Sequence, residues 1–121
     1  MVRAATLTVQ STEAITTQVW KFIALDIGSW DMDATASKSV AHGSAIGSII
    51  VLGGYIVNDA DDDMFPIVMG QDETATTSGI YCTNITATDI VLTRTTSCSY
   101  DSTNFNNTAI SRGKIMCMVK L

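Results

Sequence analysis

The chain has 121 residues, is 46% apolar and only 16% charged, and carries a formal charge of −5 with a single histidine. That length is one domain, with enough chain to bury roughly two-thirds of its unfolded surface without disulfides or metals. The seven basic residues (Arg3, Lys21, Lys38, Arg94, Arg112, Lys114 and Lys120) are scattered. This excludes the clustered positive charge that nucleic-acid binding requires. No apolar run approaches the roughly 20 residues of a spanning helix, so no membrane role is expected, nor is a secretion signal read at the N-terminus.

Residues 1–17, M-V-R-A-A-T-L-T-V-Q-S-T-E-A-I-T-T, are small and Thr-rich with weak alternation. They are expected to be an extended arm for attachment or for contact with another subunit. A domain is expected over 18–121. Val19, Lys21, Ile23, Leu25 and Ile27 alternate with Trp20, Phe22, Ala24 and Asp26, which predicts a strand apolar on both faces. Gly28-Ser29 ends it, and Ala34 to Ala41 reads as a second strand closed by His42-Gly43. The strongest strand signal is Ile46 to Val57. Its Gly53-Gly54 pair disfavours a helix and predicts a bulge or bend.

Asn58 to Asp63 reads as a turn, followed by a short strand near Phe65 to Met69 that Pro66 confines to an edge or a strand start. Gly70 to Ser78 reads as a polar loop. Gly79 to Thr83 and Asp89 to Thr95 are expected to form a hairpin. In the long polar loop 96–112, Tyr100 and Phe105 are the expected core anchors. Gly113 to Leu121 closes the chain as a strand with Ile115, Cys117, Val119 and Leu121 on one face, and Met116, Met118 and Lys120 on the other. About eight short strands without a helix predict an all-β domain, a single jelly-roll-like β-sandwich.

Three places invite a chemical reading. His42 is the one residue suited to acid–base work near neutrality. No G-x-S-x-G elbow and no second histidine accompany it, so a hydrogen-bonded corner before a tight Gly turn is the expected role. Asp59, Asp61 and Asp63 have the D-x-D-x-D spacing that opens a calcium loop. The sixth and twelfth loop positions are Met64 and Gly70, where an EF-hand needs Gly and an acid. A looser Ca²⁺ site on these carboxylates, with Asp72 or Glu73, is the one cofactor that stays open; otherwise none is expected. Cys82, Cys98 and Cys117 lack metal-ligand spacing and read as reduced thiols, with a Cys82–Cys98 bridge left open. Met116 and Met118 point away from Cys117 on a strand, which favours packing against a neighbour. Together with Trp20, Phe22 and Tyr55 they are the candidate interface residues.

The stretch I-G-S-W-D-M-D-A-T-A-S-K-S-V-A-H-G at 27–43, followed by V-N-D-A-D (57–61), I-V-L-T-R-T (90–95), Y-D-S-T-N-F (100–105) and S-R-G-K-I (111–115), resembles a family of small virion proteins of tailed bacteriophages. That family has a W-[ND]-M-D-x-T-x-S-x-x-V-A-H-G core. The similarity spans roughly 19–121 and leaves the N-terminal segment outside. It implies an all-β, non-enzymatic particle component: a head fibre or decoration protein, or a tail fibre or adaptor. It also implies a homo-oligomer, by habit a trimer, contacting other virion proteins, with a host surface glycan as a further candidate partner. No catalytic residues carry over. The chain departs from the family in having Lys114 where a bulky aromatic follows R-G, and in its cysteines. The alternative from another class is a carbohydrate- or calcium-binding β-module, for which Trp30, Tyr55 and Tyr100 are the aromatics to locate.

Overall fold

The computed structural model describes residues 5–10, 15–67 and 80–121, and within them every strand pairing is antiparallel. The strands are β1 (Ala5–Gln10), β2 (Ile15–Asp26), β3 (Ser37–Ala41), β4 (Ile49–Val57), β5 (Met64–Pro66), β6 (Ile80–Ile85), β7 (Asp89–Arg94) and β8 (Gly113–Lys120). One sheet has the order β1-β2-β8-β4-β5 and the other β3-β7-β6. The protein is all-β, and its two sheets form the sandwich that the alternating sequence predicts.

Alternation decides what lies between the sheets. Along β7, Ile90, Leu92 and Arg94 are buried while Asp89, Val91 and Thr93 are half-buried. Along β8, Gly113, Ile115 and Cys117 are buried and Met116 is exposed. A single core joins Val40, Ile90 and Leu92 from the small sheet to Ile49, Ile56, Ile115 and Cys117 from the large one. Ile27, Trp30, Met32, Ile67 and Phe105 close its ends. Phe105 comes from a short 3-10 turn, Thr103–Phe105. It meets Tyr100 and Phe65 edge-on, with ring centroids 5.1 and 5.8 Å away. Both expected anchors of the long loop therefore reach the core.

Gly53-Gly54 does produce a bulge. The β4–β8 register shifts between Val51 and Gly53. The extra residue brings Ile56 inward, fully buried, and leaves Tyr55 opposite Lys114 on the outer face. Gly54 is required for close approach, because a Cβ there would lie 2.6 Å from the Lys114 carbonyl and 3.2 Å from Ile115 Cα. Gly113 has a φ of +150°, and a Cβ on it would run into the Tyr55 carbonyl.

Several boundaries differ from the sequence reading. Residues 5–10 of the expected arm are a strand paired along β2, from Ala5 opposite Trp20 to Gln10 opposite Ile15. The expected arm–domain boundary after residue 17 consequently falls inside β2. Ile46–Ser48 is a 3-10 turn ahead of β4 rather than part of it. β3 starts only at Ser37, because residues 31–35 turn back on themselves. The Asp31 carbonyl accepts from the Thr35 amide at 3.0 Å and the Thr35 hydroxyl at 2.7 Å, while the Asp31 carboxylate accepts from the Ala34 amide at 2.9 Å. β5 is an edge strand, as Pro66 requires. The polar loop expected at 70–78, with Asp72 and Glu73, lies outside the described residues, as does the Cys82 side chain. Cys98 and Cys117 are buried thiols.

The Gly54 contact yields a prediction. Gly54→Ala forces β4 and β8 apart and should lower the unfolding free energy by about 1–3 kcal/mol, the usual range for overpacking. Urea denaturation of the variant beside the parent checks this; equal midpoints would show that the two strands tolerate a methyl group there.

Candidate functional site

Two buried arginines organise one end of the sandwich. Arg112, fully buried, donates through Nε to the Trp30 carbonyl (3.1 Å), through Nη1 to the Val57 carbonyl (3.0 Å) and the Asp59 carboxylate (2.8 Å), and through Nη2 to the Asn107 carbonyl (2.7 Å). It also lies 5.9 Å from the Phe105 ring centroid. Arg94, at the last inward position of β7, donates through Nε to the Met32 carbonyl and through Nη2 to the Asp33 carbonyl (3.2 Å), and pairs with Asp101 at 2.9 Å. The Trp30–Asp33 segment is thus held by its carbonyls. Its side chains Trp30 and Met32 sit in the core at 2% and 0% exposure, and Trp30 Nε1 donates to the Thr35 carbonyl at 3.0 Å. Buried backbone acceptors need such partners, and the guanidinium fork supplies several at once.

His42 is buried and spans two turns. Its Nε2 donates to the Thr86 carbonyl at 3.1 Å, and its Nδ1 accepts from the Ser44 amide at 3.1 Å. The His42 amide donates to the Thr88 carbonyl at 3.0 Å. This pair of contacts selects the neutral Nε2–H tautomer and ties the β3 exit to the β6–β7 turn. Both ring nitrogens are occupied within the protein, in the corner role expected of this residue.

The aspartate run does not gather as the spacing invites. Asp59 turns inward to Arg112 and accepts from the amides of Asn106 (3.0 Å) and Asn107 (3.0 and 3.1 Å). Burial raises the Asp59 carboxyl, but the hydrogen bonds from Arg112 and the two amides, with the Arg112 charge, outweigh this and hold it below its ordinary value. Asn58 closes the turn instead, its side chain accepting from the Asp62 and Asp63 amides and donating to the Asp62 carboxylate. Among the described residues no group of three His, Cys, Asp or Glu is placed to hold a metal ion. Asp59, the first of the Asp59–Asp61–Asp63 carboxylates read as a calcium site, serves a buried arginine, and Asp72 and Glu73 lie outside the described residues.

Of the expected interface residues, the structure brings Phe22, Met116 and Met118 together. Phe22 is opposite Met118, which is opposite Ile50. Ala24 is opposite Met116, which is opposite Gly53 beside the bulged Leu52. Phe22, Ile50, Leu52 and Met116 are 53, 45, 46 and 40% exposed. These rows form one apolar surface across β2, β8 and β4, on the outer side of the large sheet. Trp20 shares the register but is buried, its Nε1 without a hydrogen-bond partner. Tyr55, half-buried, belongs to the next row with Asp26 and Lys114, which pair at 2.7 Å. The Asp26 carboxylate, by hydrogen bond and charge, holds the Lys114 ammonium above its ordinary value. Asp26, Tyr55, Val57, Asp61, Ser111, Gly113 and Lys114 line an open groove of about 220 Å³ at this end.

Sequence reasoning missed Ile50, Leu52 and Ala24 as parts of the surface, and both arginines as parts of the core. Arg94 was accessible by alternation, since it follows Ile90 and Leu92 at spacing two. Arg112 carries no such signal, because its burial comes from a loop that folds over it. Comparison with known protein families, with curated proteins and with solved structures returns no match.

Two predictions concern the Arg112–Asp59 pair. Arg112→Ala leaves Asp59 and three carbonyls without their donor and should cost about 3–5 kcal/mol, as for other broken buried pairs. Arg112→Lys should not restore the loss, because an ammonium cannot reproduce the fork; denaturant titration of both variants checks this. For Asp59, a carboxyl held below its ordinary value contributes stability above the unfolded value of about 3.9 and loses it as acid titrates the folded group. The melting temperature of the parent should fall as pH drops below about 4, and Asp59→Asn should have a lower plateau and a shallower acid limb.

Proposed function

We propose that this protein is a non-enzymatic structural subunit of a bacteriophage virion, a head fibre or decoration protein or a tail fibre or adaptor, that assembles with copies of itself. The observation that carries the self-assembling, structural part is the exposed apolar face of the large sheet. A folded chain with Phe22, Ile50, Leu52 and Met116 displayed side by side has a surface suited to burial by a partner. The neutral, doubly bonded His42 and the internally held Trp30–Asp33 segment support the same reading. The sequence features that first resembled a reactive loop have structural work within the fold. The virion assignment rests on the resemblance of residues 19–121 to phage particle proteins.

A saccharide-binding role has one observation in its favour, the groove that places Tyr55 beside Asp26, Asp61 and Lys114. The other aromatics named for it are elsewhere. Trp30 is in the core and Tyr100 packs edge-on against Phe65 and Phe105.

The expected outcome is that purified phage particles contain this chain at a fixed copy number, measured by quantitative mass spectrometry. Several hundred copies would place it on the capsid or tube, a few dozen or fewer on a fibre or adaptor. Particles lacking the chain would overturn the proposal.

A further inference from the structure

The β4 bulge decides what stands at the loop end of the large sheet. Ahead of it Ile50 and Leu52 are exposed on the outer side. Unbroken alternation would carry that face on to Gly54 and Ile56 and turn Tyr55 inward. The extra residue reverses the phase, so Tyr55 joins the row Asp26–Lys114–Tyr55 that crosses β2, β8 and β4. Bulges that re-aim a side chain in this way are over-represented beside functional sites. Strands in such a row lie about 4.8 Å apart, and with Asp61 and Ser111 these side chains line the open groove of about 220 Å³. Its walls are held from behind. The Val57 amide donates to the Arg112 carbonyl at 2.8 Å, the Ile27 amide to the Gly113 carbonyl at 2.9 Å, and the Gly28 amide to the Ser111 hydroxyl at 3.3 Å. A groove fixed like this loses little freedom when it is filled.

The polar groups facing the groove have capacity to spare. Lys114 donates one N–H to Asp26 Oδ1, and an ammonium has three. Among the described residues the Asp26 Oδ2 atom, the Tyr55 hydroxyl and the Asp61 carboxylate have no hydrogen-bond partner. The geometry points to a binding site for one neutral pyranose ring, stacked on Tyr55 and hydrogen-bonded to Asp26, Lys114 and Asp61. A sugar hydroxyl both donates and accepts, and the adjacent Asp26 oxygen and Lys114 N–H offer it an acceptor and a donor together. Asp61 accepts from a second hydroxyl. The C–H face of the ring, weakly positive, suits the negative face of the phenol. Few polar groups around one aromatic wall is the usual make-up of a small-molecule site. The volume admits a single ring rather than a chain of them. Two carboxylates against one ammonium repel a ring that carries its own carboxylate or sulfate.

The inference rests on the saccharide-binding reading above, and it gives that reading a ring charge and a role for each side chain. It is tested by NMR titration of the isotope-labelled full chain with methyl glucoside, methyl galactoside and methyl mannoside, with glucuronate as the anionic control. At least one neutral glycoside should shift the Tyr55, Asp61 and Lys114 amides, with an affinity on the order of millimolar. Glucuronate should bind roughly tenfold more weakly or worse. Tyr55→Ala should weaken the glycoside roughly tenfold and Tyr55→Phe should keep most of the affinity, because the ring face is retained. Asp26→Ala, at an exposed position, should also weaken it while leaving the melting transition unchanged, which separates loss of binding from loss of fold. Silence of all three glycosides, equal binding of glucuronate, or indifference to both Tyr55→Ala and Asp26→Ala would overturn the site. Glycoside shifts centred on other residues would remove this groove and keep a saccharide role elsewhere on the protein. Absence from phage particles would remove the virion reading and leave a measured glycoside affinity standing.

Discussion

A guanidinium buried without access to water organises the loop end of this sandwich. Arg112 sits between β2, β4 and the long loop before β8, and four of its five N–H groups are donated to Trp30, Val57, Asp59 and Asn107. A charge so placed is tolerated only with full compensation, and every one of these acceptors belongs to a different turn or strand end. Satisfying the arginine therefore fixes the geometry of all of them. The Trp30–Asp33 segment is the clearest beneficiary. Its carbonyls are shared between Arg112 and Arg94, so its tryptophan and methionine enter the core from a stretch with no strand to support it.

From this anchoring the division of labour in the molecule follows. The loop end is paired mostly within itself: His42 has both nitrogens engaged, Asp59 and Asp101 pair with arginines, and Tyr100, Phe65 and Phe105 pack on one another. The outer side of the large sheet is not saturated. Its central residues Phe22, Ile50, Leu52 and Met116 stay exposed, and in water that exposure is an unrecovered cost. The physical asymmetry between a self-paired loop end and an exposed apolar sheet face is what supports the proposed structural role.

Much of the fold was legible because period-two alternation reports directly on burial. The faces of β8, the bulge at Gly53-Gly54, the edge position of Pro66 and the two aromatic anchors all follow from local rules. Boundaries at turns were less so. Asp31 shapes the turn before β3, and the meeting of its carboxylate with the Ala34 amide depends on backbone geometry that composition does not encode. The structural role of Asp59 in the D-x-D-x-D run was not legible for a related reason: it pairs with an arginine 53 positions away, and no local pattern announces that pairing. Trp20 was expected at the interface with Phe22 and shares its register, but it lies buried. The register assigned it a face, and packing decided its exposure.

The position of β8 has a consequence for how the molecule comes into being. It is the last strand in chain order, yet it lies at the centre of its sheet, hydrogen-bonded to β2 on one side and β4 on the other. During synthesis β2 and β4 must remain apart, their edges open, until residues 113–120 leave the ribosome. Neither Ile115 nor Cys117, both in the core, exists before that moment. The large sheet cannot form from the N-terminal end forward, and its closure waits on contacts between residues far apart in sequence, the kind that fold slowly. The nascent chain exposes open strand edges in that interval, and mispairing is a hazard until β8 is in place.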